Sequence, residues 1–189
     1  MQVLQVLSLT LLSVLAASAQ TFVSGKCPNP PVQANFDVAR YLGRWYEIQK
    51  LPAVFQKGEC SQATYSLKGP GVVTVLNEEL LDDGTINSIS GSAMAMDPAE
   101  PAKLGVSFFE GSPPAPYWVL STDYDSYTLV YGCTDFLGLL HVDFAWILSR
   151  ERTLSTDTVE ELRSILMSHG IPGDKLLVGD QSICSSMPQ

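Results

Sequence analysis

The chain has 189 residues and a formal net charge of −9, with 20 acidic side chains against 11 lysines and arginines. The basic residues are scattered and form no stripe, which argues against nucleic acid and anionic membrane surfaces as partners. This length is enough for one domain with a sizeable apolar core.

Residues 1–19 predict a secretory signal peptide. Leu4 to Ala16 form an apolar run too short to span a bilayer comfortably, and Ala17-Ser18-Ala19 is a small-residue cleavage signature. A buried N-terminal helix is the alternative interpretation. Cleavage would leave residues 20–189 as a single domain of a secreted, extracellular protein. We expect no membrane span in that domain, because no second long apolar run follows.

Four cysteines, Cys27, Cys60, Cys133 and Cys184, form an even set without a C-x-x-C pair. In a secreted protein this pattern favours two disulfides over a redox or metal site. The spacing alone leaves three pairings open. We predict no metal site and no cofactor, because no cluster of His, Cys or carboxylates has the spacing of metal ligands.

A short helical turn followed by the first strand is predicted around Gly43 and Trp45. A glycine lets two backbones approach closely, and a tryptophan two residues later can fill the end of an apolar cavity. This arrangement suits a β-barrel that is closed at one end and open at the other.

Seven further strands are predicted after the strand that contains Trp45. Each is a short apolar or alternating run bounded by Gly, Pro or Asp clusters. If they are joined in sequence, all eight strands are antiparallel. The seven predicted ranges are Cys60–Leu67, Val72–Leu80, Thr85–Ala95, Lys103–Phe109, Tyr117–Thr122, Ser126–Cys133 and His141–Arg150.

One longer helix is predicted after the strands. Ser155 to Asp157 offer N-cap residues, Gly170 is suited to the position after the helix, and Pro172 prevents its continuation. The residues of its apolar face are Val159, Leu162, Ile165 and Leu166. Because this face needs apolar cover, we expect the helix to pack on the outside of the barrel. Leu176–Val178 predicts a ninth short strand.

Three motifs together resemble the signature regions of the lipocalin family. Gly43-x-Trp45 stands near the start, Thr122-Asp123-Tyr124 lies between the sixth and seventh predicted strands, and Arg150 ends the eighth. The resemblance implies an all-β fold, namely an eight-stranded antiparallel up-and-down β-barrel with a C-terminal α-helix packed on its outside. It also implies that the Arg150 guanidinium covers the Trp45 indole at the closed end. The predicted structural residues are Gly43, Trp45, Thr122, Asp123, Tyr124 and Arg150.

The same resemblance implies the disulfide pairing Cys27–Cys133 and Cys60–Cys184. Asp135 stands two residues after Cys133, where mammalian members of the most similar branch carry an extra cysteine. We therefore expect contact with lipoprotein surfaces or with apolipoproteins to be non-covalent.

Side chains along a barrel strand alternate between the inside and the outside, so the positions of Trp45 and Arg150 set the predicted inward faces. These faces are mostly apolar or aromatic and include Leu67. A buried carboxylate without a partner is costly, so Glu47 and Glu79 are expected to meet solvent or a partner. The predicted ligand-binding residues are Tyr65, Asn77, Phe108, Tyr117, Trp146 and Leu148.

An apolar pocket with few polar groups favours a small hydrophobic ligand. The resemblance therefore predicts a secreted carrier of a steroid, a fatty acid such as arachidonate, or a related lipid. The alternatives are a carrier of a bilin or retinoid pigment and a lipocalin-type isomerase. The isomerase needs a free cysteine inside the barrel, whereas all four cysteines here fall at paired positions. We thus predict no catalytic residue and no enzymatic activity.

Three apolar stretches fall at or near predicted connections: Pro52–Phe55, Phe108–Pro114 and Phe136–Leu140. Connections are normally polar and exposed, so apolar ones suggest contact with lipid or with another protein. Two arrangements remain open. The side chains either stand exposed or fold back into the mouth of the cavity.

Overall fold

The computed structural model describes residues 22–188, so the predicted signal peptide lies outside the described residues. Its strands form one antiparallel sheet in which each barrel strand pairs with its neighbour in the chain. In chain order the strands are β1 (Phe22–Ser24), β2 (Gly43–Lys50), β3 (Glu59–Gly69), β4 (Val72–Leu80), β5 (Ile86–Ala95), β6 (Lys103–Ser107), β7 (Ala115–Thr122), β8 (Tyr127–Phe136), β9 (Leu140–Ser149) and β10 (Leu177–Val178). Strand β9 also pairs with β2, which closes the sheet into a barrel of eight strands, β2 to β9. The predicted fold class is confirmed.

The two outer strands extend the sheet at the seam of the barrel. Strand β1 pairs with β9, and β10 pairs with β2. The sequence did not predict β1, because three residues carry no measurable periodicity. Two predicted strand ends were too late: β6 stops at Ser107 rather than Phe109, and β9 stops at Ser149 rather than Arg150.

Two helices flank the barrel, α1 (Val38–Tyr41) and α2 (Thr156–Ser168). The Ser155 hydroxyl caps α2 by accepting a hydrogen bond from the Thr158 backbone N–H. Leu162 and Leu166 of α2 are fully buried against the outer face of the barrel, as predicted for this helix. None of the helices in residues 22–188 is long and apolar enough to cross a bilayer.

Trp45 and Arg150 close one end of the barrel. The Trp45 side chain is fully buried, and its indole N–H donates to the Tyr41 carbonyl oxygen over 2.9 Å. The Arg150 guanidinium lies 3.7 Å from the centre of the indole, in a cation–π contact. Its nitrogens also donate to four backbone carbonyls, those of Arg40, Tyr41, Arg44 and Tyr124. Through these hydrogen bonds, Arg150 joins the chain segments that meet at this end.

The turn between β7 and β8 also lies at the closed end. The Asp123 carboxylate accepts hydrogen bonds from the backbone N–H groups of Asp125, Ser126 and Tyr127 and from the Ser126 hydroxyl. Burial favours the protonated form, but these hydrogen bonds outweigh it and lower the pKa of Asp123. The Thr122 hydroxyl accepts from the Tyr124 N–H and donates to the Tyr127 carbonyl. The signature residues thus fix this turn.

The disulfides are Cys27–Cys133 and Cys60–Cys184, the pairing that the family resemblance implied. They join residues 106 and 124 positions apart along the chain. Bridges across such long segments strongly restrict the unfolded chain, by about 4–5 kcal/mol each in the chain-entropy model. The two disulfides fasten the N-terminal segment and the C-terminal segment to the barrel.

Candidate ligand cavity

The barrel surrounds a cavity of about 650 Å³. All eight barrel strands contribute lining residues, and so do the β2–β3 and β6–β7 connections at the open end. Trp45 and Arg150 lie at the opposite, closed end. The volume falls within the usual range of small-molecule pockets.

The structure places all six predicted ligand-binding residues at this cavity: Tyr65, Asn77, Phe108, Tyr117, Trp146 and Leu148. The assignment of these residues to ligand contact stays a prediction. The expectation for Leu67 was wrong, because its side chain is 62% exposed. Strand β3 reaches its turn with β4 at this point, beyond the closed end of the cavity.

Strands β6 to β9 supply an apolar and aromatic side of the cavity. Phe144 and Trp146 stack with ring centres 6.2 Å apart, and Phe55 from the β2–β3 connection lies 5.6 Å from Phe144. The Trp146 indole N–H donates to the Gln56 side-chain oxygen over 2.8 Å. The indole is thus held by a hydrogen bond while its ring faces the cavity, an arrangement that suits a hydrophobic ligand.

Tyrosine hydroxyls form a chain at the deep end of the cavity. The Tyr65 hydroxyl donates to Tyr117 over 2.8 Å, and Tyr117 shares a second hydrogen bond of 2.8 Å with Tyr41. Burial raises the pKa of Tyr41 to about 12 and raises the pKa values of Tyr65 and Tyr117 well above the ordinary value. All three phenols are therefore neutral, and their buried surroundings disfavour a charged group.

Glu47 lines the cavity from β2 and is almost fully buried. Its carboxylate meets the Lys50 ammonium at 3.0 Å and accepts a hydrogen bond of 2.8 Å from the Gln56 amide. Burial raises the pKa of Glu47, against the attraction of Lys50. Of the two expectations, solvent or a partner, the structure shows a partner.

Glu79 lines the cavity from β4 and is also buried. Its carboxylate accepts hydrogen bonds from the backbone N–H groups of Lys57 and Gly58 over 3.0 and 2.8 Å, and from the Asn87 amide over 2.9 Å. A side chain at Gly58 would collide with the Leu80 carbonyl oxygen, so this glycine permits the close approach. Glu79 therefore holds the β2–β3 connection against the barrel.

The apolar connections at the open end carry exposed side chains, although Ala53 is buried. Phe55 and Phe109 are 57% and 68% exposed while they also line the mouth of the cavity. Leu137 and Leu139, in the turn between β8 and β9, are 94% and 72% exposed. For the leucines, the alternative that they fold into the mouth is wrong.

Within residues 22–188, one cluster of candidate metal ligands lies at the β8–β9 pair: Cys133, His141 and Asp143, whose donor atoms lie within 4.8 Å of one another. The Cys133 sulfur is bonded to Cys27. His141 Nδ1 lies 2.9 Å from the Gly25 carbonyl oxygen, and Asp143 accepts a hydrogen bond of 2.8 Å from the Tyr131 hydroxyl. The disulfide and the His141 contact fasten the chain after β1 to the barrel, and the Asp143 contact joins β9 to β8.

Comparisons with known proteins agree with this architecture. A family model described as a lipocalin-like domain matches residues 36–181. Apolipoprotein D from Cavia porcellus is 56% identical over 181 residues, which cover 93% of this chain and 96% of that protein. Apolipoprotein D from Mus musculus is 55% identical over 168 residues and 89% of each chain. The solved structure of insecticyanin from the tobacco hornworm Manduca sexta matches with a TM-score of 0.76 at 28% identity, over 88% of this chain and 92% of its own. The chain belongs to the lipocalin family.

Proposed function

We propose that this protein is a secreted carrier that binds one small hydrophobic molecule inside its barrel and transports it in extracellular fluid. The observation that supports this function most strongly is the cavity of about 650 Å³ with an aromatic side and a single closed end. Burial of apolar surface contributes on the order of 25 cal/mol per Å². A steroid-sized or lipid-sized ligand can therefore be held with micromolar affinity.

Secretion is part of the same proposal. Residues 1–19 act as the signal peptide, and residues 20–189 remain as one lipocalin domain. The two disulfides support it, because disulfides persist in oxidising compartments. The similarity to apolipoprotein D also supports it. Mass spectrometry of the protein secreted by expressing cells should find Gln20 at its N-terminus.

Ligand exchange at a lipoprotein surface is a further part of the proposal. The exposed Leu137 and Leu139 lie in the β8–β9 turn at the open end of the barrel, and Phe55 and Phe109 line the cavity at the same end. Insertion of these side chains into a lipid surface would place the open end of the barrel against the lipid in which hydrophobic ligands dissolve. Exposed apolar clusters of this kind mark contact sites.

A pigment carrier for a bilin or retinoid is the second candidate, favoured by the aromatic side of the cavity. A protein purified from its natural source would then absorb visible light, whereas a colourless protein would count against this candidate. Isomerase chemistry through a thiol has no support, because all four cysteines are bonded in disulfides.

The test of ligand binding uses the fluorescence of Trp146. A neutral hydrophobic probe that carries a conjugated ketone, such as a steroid enone, should quench tryptophan emission with a saturating curve. Trp146→Phe should lose most of this quenching. Trp118→Phe is the matched control, because Trp118 packs with the outer core of the barrel against Tyr131. Equal quenching in the Trp146 variant and the wild type would remove Trp146 from the site.

A further inference from the structure

We propose that the cavity selects neutral and ammonium-bearing amphiphiles over ionised carboxylates of the same chain length, and that Glu79 determines this preference. The inference rests on the proposed binding function and narrows its ligand class. Two observations support it: the negative charge of Glu79 near the open end, and the lack of a free positive charge near the closed end.

The lining of the cavity carries negative charge without a free positive charge. Among the described lining residues none is Lys, Arg or His. Glu47 and Glu79 face the inside of the barrel, whereas the Glu78 carboxylate accepts a hydrogen bond from the Gln62 amide, which also bonds to the Pro188 carbonyl on the outside. Lys50 neutralises Glu47 from a position outside the lining. The contacts of Glu79 are two backbone N–H groups and one amide, so its negative charge has no cationic partner within the described residues.

The open half of the cavity offers groups that can bind a hydrogen-bond donor. The Ser61 hydroxyl is buried at the cavity and has no hydrogen-bond partner among the described residues. Ser61 and Asn77 line the same side as Glu79, on the paired strands β3 and β4. A ligand hydroxyl or ammonium group can donate here, whereas an ionised carboxylate has no proton to donate.

The deep end offers no better place for a carboxylate. Tyr65 and Tyr117 bond to one another through their hydroxyl groups and bring no positive charge that could pair with a carboxylate. The nearest cation, Arg150, lies over the Trp45 ring and gives its donors to four backbone carbonyls. Neither end of the cavity therefore has a cationic side chain in its described lining that could pair with a fatty-acid anion.

The size of the effect follows from Coulomb's law. Two like charges about 8 Å apart at an effective dielectric constant of about 20 repel enough to weaken binding by at least tenfold. An ammonium group gains from the same field, and a hydroxyl avoids the repulsion. We expect dodecylammonium and dodecanol to bind tightly, and dodecanoate to have a dissociation constant at least ten times higher than either.

The experiment measures dissociation constants of these three probes by calorimetry at pH 8, below their aggregation concentrations. Methyl dodecanoate serves as a fourth probe, because it keeps the acyl chain and removes the charge. Tenfold weaker binding of dodecanoate than of its methyl ester supports the proposal. Equal or tighter binding of dodecanoate overturns it. If dodecanol itself fails to bind, the proposed carrier function fails instead.

Glu79→Gln assigns the preference to one residue. The glutamine keeps an oxygen for the Lys57 and Gly58 N–H groups, so the β2–β3 connection stays in place while the charge is lost. The ratio of the dissociation constants of dodecanoate and methyl dodecanoate, called the gap below, should fall at least threefold. Glu161 is an exposed residue of α2, so Glu161→Gln makes the same charge change away from the cavity and should leave the gap unaltered.

Circular dichroism should show that both variants are folded. A gap that is unaltered in folded Glu79→Gln, or that shrinks equally in Glu161→Gln, removes Glu79 as the determinant.

Discussion

The two ends of this barrel are built in opposite ways. At the closed end the polar groups are paired: Arg150 binds four carbonyls and the Trp45 ring, and Asp123 accepts hydrogen bonds from three backbone N–H groups. At the open end Leu137 and Leu139 stand exposed, and the buried Ser61 hydroxyl is unpaired among the described residues. Paired polar groups join the chain segments at the closed end, whereas the open end leaves apolar side chains and one buried hydroxyl group available for contact.

The largest expected effect comes from breaking the closed end at Arg150. Arg150→Ala removes the cation–π contact with Trp45 and leaves several backbone carbonyls without a donor. We expect a loss of about 3 kcal/mol in the free energy of unfolding, measured by urea denaturation. Leu137→Ser at the open end is the control and should change the same quantity by less than about 0.5 kcal/mol. A similar loss in both variants would contradict the separation of roles.

A smaller effect with a pH signature is expected at Asp123. Asp123→Ala removes the acceptor for the backbone N–H groups of the β7–β8 turn and should cost about 1 kcal/mol at pH 7. The pKa of Asp123 is lowered in the folded protein, so its stabilisation is present above the unfolded pKa of about 4 and is lost as the pH falls through the folded value.

The measurement is thermal unfolding of both proteins between pH 7 and pH 2.5. The wild type and the variant should converge at the acid end of this range. A difference in stability that stays constant across the range would show that the Asp123 charge plays no part in it.

The smallest effect on folding, and the clearest on contact with lipid, is expected at the β8–β9 turn. The double variant Leu137→Ser with Leu139→Ser should bind phosphatidylcholine vesicles several-fold less than the wild type in a flotation assay. Its melting temperature should stay within about 2 °C of the wild type. Met167→Ser, an exposed apolar residue on α2, serves as the control for lost surface hydrophobicity. Unchanged flotation of the double variant would remove this turn from lipid contact.

The closed end could be predicted from sequence in detail, because its residues form local motifs with fixed roles. Gly43, Trp45 and Arg150 identified the family, and the alternation along each strand placed Trp146 and Tyr65 on the inner face. The open end was harder to predict. The partners of Glu47 and Glu79 come from a connection whose path the sequence pattern does not define, and the three residues of β1 are too few to show a period.

We propose that the barrel holds one hydrophobic molecule between its closed and open ends. Native mass spectrometry of the disulfide-bonded protein with dodecanol tests it most directly. We expect a single bound molecule per chain that saturates at micromolar concentration, with the occupancy lost when a bulky side chain is introduced by Ala63→Trp, since Ala63 lines the cavity. Binding of several molecules without saturation, or full occupancy in the Ala63 variant, would contradict it.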